Sequence, residues 1–296
     1  TKYCLPKFYK KATALRKSFE TRFDYSSAKT ASPFVWDYWH VQDKYTLLRT
    51  PAYLFFPKKI YEDFHNQLVW WGRRTLGCHD VSPTWLSCYI EGCEQKIHAD
   101  LPHGPWAFVY SLTDWETRKF LGGETFILNE RVLNYWANYD KNNPLESTEA
   151  FEKVQPKFNQ LLVFDPRLPH GVNKVKGVND IKHGRLVIHG WFVNPRPFIE
   201  GPISTKELAQ EILSLDQFIF ENSNLVAGIT GTVSFQISVT AAGKIKLVKL
   251  LASTLRSIYG EPASPMIAEI EQHIARHFSF KKQMHSSLIT LPLMFE

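Results

Sequence analysis

TWLSCYIEG at 84–92, WAFVYSLTDW at 106–115, GGETFIL at 122–128, NQLLVFDP at 159–166 and GRLVIHGWFV at 184–193 are short runs rich in aromatic and β-branched residues. Each is bounded by Gly, Pro, Asn or Asp, so the pattern predicts strands joined by turns. The abundance of aromatic side chains, 9 Trp, 12 Tyr and 21 Phe in 296 residues, favours the same reading, because such groups suit a pleated, half-buried surface. Strands punctuated in this way point to an all-β sandwich or barrel, with a double-sheet jelly roll as the natural candidate.

Outside these runs the pattern changes. A polar excursion at 129–157 is too long for a hairpin turn and is expected to form a partly helical lid. The chain up to about residue 80 mixes helical pattern with aromatic clusters such as FVWDYWHV at 34–41. Ile60, Phe64 and Leu68 fall at helical spacing, so 58–77 reads as an amphipathic helix that Gly77 stops. Nothing chemical stands out in that segment. After Pro195, Pro197 and Pro202 come a helical stretch at 204–222, strand runs at 233–239 and 244–251, a helix at 265–277 and a last strand near 286–295. We therefore divide the chain into residues 1–202, with N-terminal helices and a strand-rich core from about 84, and a small C-terminal α/β module at 203–296. The fold class is mainly β with flanking helices.

The net charge of +6 includes no run of five or more like charges and reads as a solvated basic surface, so no nucleic-acid partner is expected. Cysteines 4, 78, 88 and 93 contain no CxxC pair and match no standard zinc spacing, which leaves free thiols. With no long apolar stretch and no signal-peptide pattern, a cytoplasmic protein without a membrane partner is expected.

His98 and Asp100 in IHAD (97–100) sit two residues apart, so on a strand both side chains leave one face, about 6.6 Å apart at roughly 3.3 Å per residue. That spacing suits two adjacent ligands of one metal. A third must come from another strand, and PRLPHGV (166–172) places His170 just after the apolar run LLVF. Two imidazoles and a carboxylate form the facial triad of non-haem Fe(II) oxygenases, which leaves coordination positions open.

Taken together, IHAD, LGGETFIL, NQLLVFDPRLPHGVNKV and GRLVIHGWF resemble the prolyl 4-hydroxylase-like branch of the 2-oxoglutarate and Fe(II) dependent oxygenases. The resemblance covers roughly residues 84–195 and implies a double-stranded β-helix, a variety of jelly roll. It also implies that His98, Asp100 and His170 hold Fe(II), with 2-oxoglutarate and O2 as co-substrates and succinate and CO2 as products. The family's basic residue for the distal carboxylate of 2-oxoglutarate falls on Arg185, whose planar fork fits a carboxylate bidentately. By period two Arg185, Val187, His189 and Trp191 share a strand face, so an inward Arg185 brings His189 and Trp191 to the pocket; His189 reads equally as a core histidine. Tyr89 matches a tyrosine near the co-substrate in similar enzymes, and either Tyr110 or Ser111 could reach it, since neighbours face opposite sides.

Halogenating relatives lack the carboxylate ligand that Asp100 supplies, nucleic-acid demethylases carry a second Arg where Trp191 stands, and the penicillin-synthase-like branch has Ser where Val187 stands. The resemblance thus implies hydroxylation of an amino-acid side chain, prolyl among the candidates, in a free, peptide or protein substrate. The alternative is a non-catalytic cupin-like protein that binds a metal or a partner. The C-terminal segment is loosely similar to the C-terminal domain of TonB-type energy transducers, which implies either a partner-binding module or a packing domain.

Overall fold

The computed structural model describes residues 2–23, 36–101, 103–133, 142 and 150–296. By contact density the chain falls into two compact units, Lys2–Leu68 with Val81–Val193, and Val69–Asp80 with Asn194–Glu296. Where the sequence divides at 202/203, the packing thus gathers 194–202 and the distant segment 69–80 into the second unit.

In the first unit the strand runs form one strongly curled antiparallel sheet, the jelly-roll core. Its strands are β1 (Tyr3–Leu5), β2 (Asp37–Val41), β3 (Tyr45–Pro51), β5 (Trp85–Tyr89), β6 (Glu94–His98), β7 (Trp106–Ser111), β8 (Thr125–Leu128), β9 (Phe151–Val154), β10 (Gln160–Phe164), β11 (His170–Val172) and β12 (Arg185–Pro195), while most of β4 (Cys78–Val81) falls in the segment 69–80 of the second unit. Neighbours run in the order β1, β10, β7, β12, β5, β3, β6, β11, β8, β9, with β2 added on β3. The central strands are buried on both faces, which is why their sequences are nearly continuous in apolar residues. Leu86, Ile188 and Phe192, each fully buried, contribute on the order of 1.5–3 kcal/mol apiece.

Helices cover the sheet. In Ala12–Thr21 the residues Ala12, Leu15 and Phe19 form one buried stripe, and Phe19 packs 5.7 Å from Phe55. Phe64 of helix Lys58–Thr75 lies 4.6 Å from Tyr110 of β7. Of the expected lid, the helix Glu130–Leu133 and strand β9 are seen, the latter paired with β8; residues 134–141 and 143–149 lie outside the described residues.

The second unit has the predicted order of helix, two strands, helix and strand. Its sheet runs β13 (Phe198–Glu200), β17 (Ser287–Phe295), β14 (Ile229–Val239), β15 (Ile245–Ser253), with β16 (Arg256–Ser257) on β14. Alternate residues Val233, Phe235 and Ile237 join Ile289 and Leu291 in a core with Leu208 and Leu215 of helix Thr205–Glu221 and Ile270 and Ile274 of helix Ser264–His277. Ser204 and Glu207 close a capping box at the start of the first helix. The segment 69–80 is tied in by Ser234 Oγ donating to the Leu76 carbonyl at 2.8 Å and Thr290 Oγ1 donating to the Arg74 carbonyl at 3.1 Å.

Gly77 ends the helix with φ +68°, and a Cβ there would lie 2.6 Å from Cγ of Pro292. Gly260, in the same unit at φ +79°, has nothing within 4 Å of such a Cβ. Gly260→Ala therefore meets only the left-handed backbone penalty of about 1 kcal/mol, whereas Gly77→Ala adds an overpacking cost of about 1–3 kcal/mol. Equal losses in urea denaturation would show that residue 77 is not packed against the last strand.

Candidate active site

Strand pairing brings the two histidines together. His98 ends β6 and His170 begins β11, and the two are Cα partners in the antiparallel ladder, with ring centroids 4.4 Å apart. Asp100, two residues beyond the strand end, is held by its backbone N–H donating to the Pro166 carbonyl at 2.9 Å, in the loop that leads to His170. Its carboxylate oxygens lie 3.7 Å from His98 Nε2 and 3.4 Å from His170 Nε2. One ligand atom from each residue falls within 4.8 Å of the others, so the three could hold a metal ion.

The ring orientations are set by the backbone. His98 Nδ1 lies 2.8 Å from the Lys96 carbonyl and His170 Nδ1 lies 2.8 Å from the Leu168 carbonyl. A carbonyl only accepts, so each Nδ1 carries the proton and each Nε2 turns a lone pair toward Asp100. Burial, then the neighbouring His170, holds the His98 pKa below its ordinary value. Burial pushes Asp100 upward, but when the imidazoles are protonated a hydrogen bond from His170 and the charges of His170, His98 and His189 outweigh it and leave the pKa lowered. Neutral imidazoles and an ionised carboxylate are the forms that bind a metal.

These residues open onto a cavity of about 520 Å³ with largely apolar walls. Along β12, Arg185, Val187, His189 and Trp191 all line it, as period two requires. Arg185 is 1% exposed, and its Nη2 donates to Thr125 Oγ1 at 3.1 Å. Its Nε and Nη1 have no hydrogen bond, and its guanidinium carbon sits 4.5 Å from the Tyr89 ring centroid. Gly123 makes room for it, since a Cβ there would come within 3.3 Å of Arg185 Cδ. A guanidinium buried with open donors is costly unless an anion completes it, so the site fits a carboxylate ligand.

Tyr89 lines the cavity and donates to Gln95 Oε1 at 2.9 Å, and burial raises its pKa to about 12. His189 Nε2 pairs with Ser87 Oγ at 2.8 Å; burial, then the charge of Arg185, lowers its pKa to about 4, so it is neutral beside the arginine. The Trp191 ring packs against His103 with centroids 4.5 Å apart and planes tilted by 33°, and His103 also reaches the cavity. Tyr110 is a correction to the sequence reading. It lies outside the cavity, donating to Asn159 Oδ1 at 2.9 Å and packing on Phe64, because on β7 its neighbour Val109 takes the inward position. Ser111 donates to the Pro156 carbonyl at 2.6 Å and is likewise absent from the lining.

Sequence reasoning missed Thr125, Gln95 and the wall formed by Trp39, Tyr45, Arg49 and Trp85. The aromatic cluster at 34–41 was the signal for that wall, and only the pairing of β2 with β3, which in turn pairs with β5, gives the cluster a direction.

Residues 84–193 match the family model described as 2OG-Fe(II) oxygenase superfamily. No curated protein matches the chain. Among solved structures, similarity is found to a prolyl-4-hydroxylase from Pseudomonas putida at 16% identity and TM-score 0.43, covering 65% of this chain and 92% of that one. A Trichoplax adhaerens prolyl hydroxylase in complex with a hypoxia inducible factor oxygen degradation domain peptide fragment gives 15% and 0.41, covering 64% and 83%. HygX of Streptomyces hygroscopicus with nickel and 2-oxoglutarate bound gives 13% and 0.38, covering 64% and 81%. None of these comparisons carries the resemblance of the C-terminal segment to TonB-type domains. Residues 84–193, which contain His98, Asp100, His170 and Arg185, are a domain of the 2-oxoglutarate and Fe(II) dependent oxygenase superfamily, and the chain is a dioxygenase of that class.

Proposed function

We propose that this dioxygenase hydroxylates an amino-acid side chain, prolyl among the candidates, in a free, peptide or protein substrate. In this reading His98, Asp100 and His170 hold Fe(II), while Arg185 takes the distal carboxylate of 2-oxoglutarate. The observation that carries it is one cavity in which three ligand atoms within 4.8 Å of one another share the wall with a buried guanidinium that has two open donors. When bound, Fe(II), 2-oxoglutarate and O2 supply the oxidation, releasing succinate and CO2 as the substrate gains a hydroxyl group.

The residues of the chain bind, orient and shield. The Lys96 and Leu168 carbonyls keep both Nε2 atoms ready as ligands. Thr125 positions the Arg185 fork, Tyr89 covers its face, and His189 stays uncharged so that it does not compete for the same anion. The retained carboxylate at Asp100 supports hydroxylation over halogenation, and the motif resemblance supports the prolyl candidate. The C-terminal unit supplies no residue to the cavity lining, and we read it as a packing or partner-binding module. Among the described residues no helix is long and apolar enough to cross a membrane.

Under anaerobic conditions Fe(II) and 2-oxoglutarate should give a metal-to-ligand charge-transfer band. Arg185→Ala should weaken 2-oxoglutarate binding by about a hundredfold or more, from two lost charge-assisted hydrogen bonds, with Fe(II) affinity nearly unchanged. Arg185→Lys should be intermediate, and Asp100→Ala should lose Fe(II) itself. A folded Arg185→Ala that binds 2-oxoglutarate like the parent would move the anchor elsewhere.

His189 gives a pH signature. Its pKa of about 4 in the fold lies below the ordinary 6.5 of the unfolded chain, so unfolding takes up a proton between these values. Its contribution is flat above pH 6.5; stability is lost as pH falls from there toward 4, by up to about 1.4 kcal/mol per unit. His189→Gln should flatten that part of the curve, and parallel curves for variant and parent would mean that His189 is not buried neutral.

A further inference from the structure

The same cavity holds a second cation that neither the metal site nor the co-substrate uses. Arg49 lies on β3 between Asp37 of β2 and Ser87 of β5 in Cα register, and Ser87 in turn pairs with His189. Its side chain is only 17% exposed, with the guanidinium over the Trp39 ring and 3.9 Å from the Trp85 ring centroid. The two indoles stand at 87° to each other, so the guanidinium stacks on one of them at most and donates from its edges, in the plane that matches a carboxylate. Those edges are open. Asp37, itself 62% exposed, stands 3.5 Å from Nε, too far for a charge-assisted hydrogen bond, and no other described residue accepts from the guanidinium.

Charge points the same way. Asp100 is the one acid among the lining residues and is engaged by two histidines, while Arg49 and Arg185 both face the cavity. Fe(II) and the 2-oxoglutarate dianion cancel each other, so the lining residues of the loaded cavity carry one positive charge in excess, which Asp37 beside Arg49, 62% exposed, offsets only by a water-screened attraction. Trp39, Tyr45, Trp85 and Trp191 make the walls around it apolar and flat. We propose that Arg49 anchors a carboxylate of the substrate, so that the substrate is a small carboxylic acid with an apolar body. This rests on the function proposed above and narrows it toward a free acid.

The test uses the full chain loaded anaerobically with Fe(II) and saturating 2-oxoglutarate. N-acetyl-proline and N-acetyl-phenylalanine, each as free acid and as primary amide, are titrated against the charge-transfer band. At least one acid should bind about tenfold or more tightly than its amide, the gain expected from one charge-assisted contact. Arg49→Gln should reduce that preference to within about twofold while still showing the band, and Arg49→Lys should keep part of it. A parent that shows the band yet prefers no acid to its amide overturns the proposal, as does a preference that survives Arg49→Gln. An acid that bleaches the band competes for Arg185 and counts against it too. Absence of the band in the parent overturns the reading beneath instead.

Discussion

A guanidinium keeps its charge at every pH the protein meets, and Arg185 carries that charge into an interior where it is 1% exposed with one hydrogen bond. Much of the surrounding chain is arranged to make this tolerable. The tyrosine ring against its face, the threonine at one donor, the glycine that leaves room for its stem and the neutral histidine two pleat repeats along β12 all reduce the cost without removing it. What they leave open is a place for an anion in the cavity that the carbonyl-oriented histidines also line.

The second constraint is register. His98 and His170 face each other because β6 and β11 pair at that residue, and a slip of one residue would turn one of the rings out of the cavity. Asp100 is fixed separately, by a backbone hydrogen bond to the loop before His170, so the carboxylate and the distal histidine move together if they move at all. The metal-binding geometry is in this sense a property of a ladder and one loop contact, and the side chains contribute their donor atoms and little of their own positioning.

Most of the jelly roll was legible in the chain, since strands buried on both faces read as apolar runs and their turns as Gly, Pro, Asn and Asp. The HAD spacing, the distal His170 and Arg185 were legible because each is a local pattern or a fixed distance from one. Tyr110 shows where locality ends: on β7 parity decides which neighbour faces in, and parity cannot be assigned without knowing the curl of the sheet. Arg49 was invisible as a site residue because its register partner on β5, Ser87, is nearly forty positions away in sequence, and Trp39 because its direction comes from β3, through strand pairs that no local pattern announces. The place of 69–80 in the second unit was hidden for the same reason, since its hydrogen bonds run to Ser234 and Thr290.

That discontinuity bears on synthesis. A ribosome extending the chain at about 5–20 residues per second releases Gly77 roughly 10–40 s before Pro292, the residue against which it packs. Through that interval the strands up to Val193 can close on themselves, while Leu76, buried in the finished protein, waits for Ser234, whose hydroxyl donates to its carbonyl, and for the last strand. A nascent chain of this architecture therefore presents an apolar flank for as long as its last hundred residues are still being made, which is the kind of surface that holdase chaperones occupy.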